Sequence, residues 1–280
     1  MLSLRTNQKI AIARAAFRLL HVARKVVGKS DRLVARRSGI VWELDLAQGI
    51  DLSIYLFGAF EAGTARFYRR LISSGDVVLD IGANIGAHTL PFAKLVGGAG
   101  RVIAFEPTLW AFQKLKTNIS LNPHISPRIE AVQAMLTAGE NTAVAAEAYS
   151  SWPLQHGAAL HPVHSGQLMS TSGAVSTTLD AAVSERVLPR LDFIKLDVEG
   201  NELEVLRGAQ ATLRRFRPRI LMEFSPSIHS GTGFDHLINF LGALGGHASD
   251  VQTGAALTMD ATSLKKKIQA GSSRNVLVRL

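Results

Sequence analysis

Val77-Val78-Leu79-Asp80-Ile81-Gly82-Ala83-Asn84-Ile85-Gly86 is followed by a helical stretch, His88–Val96, and then by Val102-Ile103-Ala104-Phe105-Glu106-Pro107. The first apolar run ends in Asp80 and breaks into a turn at Gly82 and Gly86. The second ends in Glu106. This pattern is a strand–turn–helix–strand unit with a carboxylate at the C-terminal tip of each strand. In an open parallel sheet, ligands bind just beyond such tips. Glu106 stands 24 residues after Gly82, where a carboxylate accepts hydrogen bonds from both hydroxyls of an adenosine ribose. The glycines are expected to let a ligand approach the backbone closely. The unit therefore predicts a site for a nucleoside-containing cofactor.

Dinucleotide sites use Gly-x-Gly-x-x-Gly, whose second glycine clears room for a pyrophosphate. Here Asn84 stands at that position and Gly86 lies four residues after Gly82. Asp-x-Gly-x-Asn-x-Gly is close instead to the Asp-x-Gly-x-Gly-x-Gly loop of S-adenosylmethionine (SAM) enzymes, which has no phosphate to cradle. SAM is the expected cofactor. A tight βα turn with an incidental acid is the bland alternative, and the second strand-tip carboxylate argues against it.

The 280 residues suffice for one large domain with an extension. The chain has no cysteine, which excludes disulfides, thiolate metal sites and cysteine nucleophiles. The net charge of +9 is confined to one end. Residues 1–40 carry ten Lys or Arg against Asp31 alone, and the other 240 residues balance at 21 against 21. Residues 1–40 thus read as a basic extension to a neutral domain spanning 41–280. Within it Ile10, Ala13, Phe17, Leu20 and Val27 recur at helical spacing among basic residues, predicting an amphipathic helix about 20 residues long. It is too charged to span a bilayer and lacks the features of a secretory signal. A packing helix and a membrane-surface helix are both open, and a nucleic-acid arm has less support. The expected location is cytoplasmic, at most peripheral at the inner membrane face.

Val41–Leu56 reads as strands or a short hairpin, and Phe57–Ser73 as a helical lead-in to the sheet. Strands are expected at Val77–Ile81, Arg101–Phe105, Ile129–Ala134, Phe193–Asp197, Ile220–Phe224 and Asn275–Leu280. Helices are expected at His88–Val96, Thr108–Leu121, Glu202–Arg215 and Phe234–Leu244. This alternation predicts an α/β fold with a mostly parallel sheet covered on both faces. Leu136–Val175 shows no clear period and reads as a strand pair plus a long loop or lid. Its His156, His161 and His164 lack a nearby acid or cysteine to complete a metal site and are read as solvated.

A second chemical cluster is Leu191–Gly208. Lys195 sits in an apolar strand, Asp197 and Glu199 flank the strand tip, and Gly200 permits a turn into the next helix. Glu223, near the tip of the following strand, adds a third carboxylate to the rim. Strand tips at a switch point favour a functional reading of Asp197 and Glu199. Pairing of these acids with Lys195 or Arg219 is the structural alternative. Glu202 and Glu204 fall in a helix's first turns and read as dipole-stabilising acids.

Leu79–Gly86 with His88-Thr89, Phe105-Glu106-Pro107, Thr178-Leu179-Asp180, Asp192–Gly200, Glu202, Val205-Leu206-x-Gly208 and Glu223 together resemble the FkbM family of SAM-dependent methyltransferases. The resemblance spans roughly Asp76–Phe224. It implies a class I methyltransferase (Rossmann-like) fold with a seven-stranded sheet, and O-methylation of a hydroxyl on a sugar, glycolipid or polyketide-like acceptor.

The expected cofactor site comprises Asp80, Gly82, Ala83, Asn84, Gly86, Glu106, Pro107, Met135 and Asp197. Asp197 leads the candidates for orienting or deprotonating the acceptor, followed by Glu199, Glu223 and His229. No ligand triad marks a metal, and none is assigned. Rival classes are a nicotinamide-dependent oxidoreductase, disfavoured by Asn84, and a non-catalytic SAM-binding adaptor. Nucleic acid is not an expected partner, because the body is neutral.

Overall fold

Alternation along the strands decides which side chains share a face of the sheet. Val77, Leu79 and Ile81 enter one core with Ile103, Phe105, Ile194, Leu196 and Met222. Val78 enters the other with Val102, Ala104, Phe193, Leu221 and Leu277. The computed structural model describes residues 6–140, 142–155, 166–229, 231–268 and 271–280.

The chain begins with α1 (Thr6–Val26), β1 (Arg32–Arg37), β2 (Ile40–Asp45), α2 (Gly49–Phe57) and α3 (Ala62–Tyr68). The first half of the sheet follows as β3 (Val77–Ile81), α4 (Thr89–Leu95), β4 (Arg101–Phe105), α5 (Leu109–Ser120) and β5 (Ile129–Val132). Short strands come next: β6 (Ala134–Leu136), β7 (Glu147–Ser151), β8 (Gln167–Ser170) and β9 (Val175–Thr177). The chain then runs through α6 (Leu179–Glu185), β10 (Phe193–Leu196), α7 (Glu202–Arg207), α8 (Gln210–Phe216) and β11 (Arg219–Phe224). It closes with α9 (Gly233–Ala243), β12 (His247–Asp250), β13 (Ala256–Leu257), α10 (Ala261–Lys267) and β14 (Arg274–Arg279).

Among the described residues the main sheet has eight strands in the order β13-β12-β14-β11-β10-β3-β4-β5. The five strands from β11 to β5 are parallel, while β14, β12 and β13 join antiparallel. The expected seven-stranded sheet is present with one addition, the two-residue edge strand β13. As expected, β10 lies beside β3, where strand order reverses, and pairs Lys195 with Asp80.

Several boundaries differ from expectation. Val41–Leu56 is a strand followed by the helix α2, and β2 pairs antiparallel with β1 rather than with a later segment. That hairpin crosses residue 40, so the basic extension runs into the body without a break. Asn118 and Asn122 on α5 complete the attachment. Asn118 Oδ1 accepts from Glu43 N at 2.8 Å, and Asn122 Oδ1 accepts from Val41 N at 2.9 Å. The buried pair Lys114–Asp51 joins α5 to α2. The helix expected over Glu202–Arg215 is two helices, α7 and α8, interrupted at Gly208. A Cβ on Gly208 would lie 2.1 Å from Thr137 O, so the chain turns where that backbone presses in.

The strand pair expected in Leu136–Val175 is present as β7–β8, while β6 and β9 form a second, parallel pair. His156, His161 and His164 lie outside the described residues. Segment 47–49 holds the β7 end: Gly49 N donates to Trp152 O at 2.8 Å and Leu154 N to Ala47 O at 2.8 Å. No helix among the described residues is long and apolar enough to cross a membrane.

Candidate active site

The parity that builds the two cores also gathers the chemistry. Asp80, Lys195 and Glu223 alternate with residues of the first core, and so project to the face covered by α1–α4. Asn275, opposite Glu223 on β14, shares that face. Beyond these strand tips opens a cavity of about 880 Å³, within the size range of small-molecule sites. Its walls include Gly82, Ala83, Asn84, Glu106, Pro107, Met135, Asp197, Glu199 and Glu223. Nine of the expected site residues therefore meet in one space.

Three expected residues stand elsewhere. Asp80 is fully buried behind the wall: Thr89 Oγ1 donates to its Oδ2 at 2.6 Å, and Lys195 Nζ lies 3.7 Å from its Oδ1. It positions the loop rather than meeting a ligand. Gly86 has φ +90°, and a Cβ there would strike Leu90 and Leu115, so it serves packing. His229 lies on the other side of Glu199, outside the main cavity and 3.6 Å from Glu202 Oε2. Its ring packs on Phe234, and burial lowers its pKa. Glu202 accepts from Val198 N and Gly200 N, both at 3.2 Å, and ties down the turn carrying Glu199.

At one end of the cavity Glu106 is held by its own loop, by the loop after β3 and by Ser150 of β7, whose Oγ donates to Oε1 at 3.4 Å. Its Oε1 accepts from Thr108 N at 3.0 Å and Thr108 Oγ1 at 2.5 Å, and its Oε2 from Asn84 N at 2.9 Å. Burial raises its pKa against these bonds. Oε2 retains acceptor capacity beyond the single Asn84 bond, as recognition of a ribose hydroxyl requires. Asn84 sits at φ +50°, a left-handed conformation that asparagine tolerates where most residues do not. Its side-chain nitrogen donates to Ser150 O, attaching the β7 end to the loop. The glycine at 82 has a packing cause beside the expected one. With φ +77°, a Cβ there would lie 1.8 Å from Asp197 O. Gly82 is demanded by the neighbouring strand tip, whatever the cavity beside it holds.

The other end is a carboxylate cluster around one ammonium. Lys195 Nζ donates to Gly82 O at 2.9 Å and lies 3.3 Å from Asp197 Oδ2. Burial disfavours its charge, but Asp197 and Asp80 outweigh that and raise its pKa. Asp197 keeps 37% of its side chain exposed. Burial and the Asp197 charge push Glu223 up to about 8, with Glu61 contributing. The same two causes, with Glu223 added, raise Glu199 well above the usual range. Ser273 Oγ donates to Glu223 Oε1.

Sequence reasoning missed Glu61, which caps α3 at φ +46° and accepts from Asn275 Nδ2 at 2.9 Å. Glu61 lies in an irregular stretch between helices, with no periodicity to mark it. Two other residues were missed, His88 inside a quoted motif and Trp152 in the stretch without a clear period. His88, held neutral by burial with its pKa down to about 3, lines the cavity beside Tyr68 and Phe60. Trp152 meets Phe60 edge-on at 5.7 Å. No cluster of three metal-ligating side chains occurs among the described residues.

Residues 80–247 match the model of the methyltransferase FkbM domain. The chain belongs to the FkbM methyltransferase family. It is a SAM-dependent enzyme of class I architecture. Among similar proteins, "Hexuronic acid methyltransferase AglP" of Haloferax volcanii is 26% identical over 213 residues, covering 75% of this chain and 77% of its own. "Methyltransferase sdnD" of Sordaria araneosa is 27% identical over 161 residues, covering 49% of this chain and 61% of its own. A solved FkbM methyltransferase from Methylobacillus flagellatus superposes with a TM-score of 0.44 at 16% identity, covering 77% of this chain and 50% of that one.

Proposed function

We propose that this FkbM methyltransferase methylates a hydroxyl oxygen on a neutral, hydroxyl-rich acceptor such as a sugar or glycolipid headgroup. The observation that carries the reading is the acidic, cation-poor lining of the cavity. Among the described residues lining it, Lys195 is the only Lys or Arg, against Glu61, Asp197, Glu199 and Glu223 at the inner end. Such a wall suits hydroxyl groups, which exchange hydrogen bonds with carboxyls and carboxylates alike, and it offers a carboxylate or phosphate on the acceptor no cation except Lys195, which already faces Asp197 at 3.3 Å. The reading thus keeps the sugar class suggested by the hexuronic acid relative and departs from its charged substrate.

SAM, when bound, supplies a methyl group activated on a sulfonium centre. An alcohol is a poor nucleophile until its proton departs, so a positioned base is needed. Asp197 takes that proton in our reading, with Lys195 fixing the carboxylate from behind. Glu223 holds its own proton in the neutral range and donates a hydrogen bond that orients the acceptor, and Glu199, biased toward its protonated form by burial and the Asp197 charge, stands beside it. Trp152, Phe60 and the β7–β8 pair cover the site and restrict water.

The test is incubation with methyl-labelled SAM and separate neutral glycolipid, uronate-containing glycan and RNA fractions. An alkali-stable methyl ether on the neutral fraction is expected. Label on RNA, on a uronate carboxyl as an ester, or only on uronate-containing glycan would overturn the reading.

A further inference from the structure

The helix α1 has two apolar faces, and only one is used within the chain. Ile10, Ala13, Phe17 and Leu20 turn inward; Phe17 is 4% exposed, and Ala13 and Leu20 pack against the same core. These four belong to the stripe the sequence suggested for a packing or membrane-surface helix, and they are consumed by packing, while its fifth member, Val27, lies just past α1 and is exposed. A second stripe follows the alternating three- and four-residue spacing of a helix face: Ile12, Ala15, Leu19, Val22 and Val26. Every member is exposed, Leu19 at 76% and Val26 at 80%. Arg18 and Lys25, both exposed, run along one border of this stripe.

We propose that this outward face of α1 docks on an anionic lipid bilayer and brings the cavity mouth to its surface. Three observations select that occupant. The charge is complementary: the excess of Lys and Arg over Asp and Glu falls entirely within residues 1–40, and anionic lipid attracts each nearby cation. The apolar residues need burial, which nucleic acid does not supply, and a second copy would bring the same positive charge against itself. The face is also continuous with the active site. Ile12 belongs to the outward stripe and lines the cavity, whose rim carries Leu56 and Phe57, the latter 72% exposed. An acceptor hydroxyl on a lipid headgroup would enter there without leaving the bilayer surface. This last consequence rests on the proposed function, whereas the docking itself does not.

The experiment is sedimentation of the full chain with vesicles of phosphatidylcholine alone and of phosphatidylcholine mixed with phosphatidylglycerol. Binding to the mixed vesicles alone, weakening as salt rises, is expected. Leu19→Asp with Val26→Asp should reduce that binding at least about ten-fold, and Arg18→Gln with Lys25→Gln by about ten-fold. None of the four residues lines the cavity, so methylation of a water-soluble acceptor should persist in both double variants. Docking is overturned if the chain ignores both vesicles or if the Leu19/Val26 variant binds undiminished. It is equally overturned if the pairs of substitutions instead abolish a dimer or retention on RNA. Failure here with acceptor methylation intact would remove the docking and leave the proposed function standing.

Discussion

The two ends of the cavity handle buried carboxylates in opposite ways. At the proposed cofactor end Glu106 stands alone and accepts from Asn84 N, Thr108 N, Thr108 Oγ1 and Ser150 Oγ. At the proposed acceptor end burial and the charge of Asp197 raise the cost of ionising Glu199, Glu223 and Glu61, with Lys195 as the compensating cation. The first arrangement fixes one acceptor geometry, as recognition of an unchanging cofactor requires. The second stores protons in the neutral range, where acid–base chemistry operates.

Asp197→Asn tests the contrast most severely. It keeps the shape and removes the base, so turnover should fall about 100-fold or more while SAM affinity and melting temperature hold. A parallel loss of SAM affinity, read by calorimetry, would instead place Asp197 with the cofactor end. Glu106→Ala should do the reverse, weakening SAM by about 1.5–3 kcal/mol through lost charge-assisted bonds. An unchanged dissociation constant would show that Glu106 serves only its loop.

Glu223→Gln addresses the coupling among the acids. In the folded chain Glu223 holds its proton to about pH 8, against an ordinary value of 4.5. Between those values the folded chain binds the extra proton, so this group's contribution to stability falls as pH rises. Glutamine cannot ionise and should flatten that fall. Melting curves should show the variant more stable than the parent by a few degrees near pH 8, with the gap closing toward pH 4.5. The smallest effect is expected at His229, which lies outside the cavity. His229→Gln should cost about 1 kcal/mol of stability and leave turnover within about two-fold; a large turnover loss would return it to the acceptor site.

Local patterns carried much of this in readable form. The strands around Asp80, Glu106 and Lys195 were legible because apolar runs ending in an acid have few other uses. The α2 helix was not, because Ile50, Leu52, Ile54 and Leu56 alternate as a strand would. What decides for a helix is Asp51, which reaches Lys114 and accepts from Asp45 N at 2.7 Å. Asp51 and Lys114 stand 63 residues apart. Likewise, both stripes of α1 were written in the chain, but periodicity alone could not say which would be covered.

By itself the sequence determined the alternating α/β order, the Gly82–Gly86 loop with Glu106 at the next strand tip, the family, and the acids Asp197, Glu199 and Glu223 on one rim. These follow from local rules: strand period, turn chemistry and the position of strand tips. Only the tertiary structure set Glu61 against Asn275, turned His229 out of the cavity, placed Asp80 behind Lys195, and chose the outward face of α1. Those outcomes depend on which surfaces are left over once the two cores have packed. That is a property of the whole chain and of no segment within it.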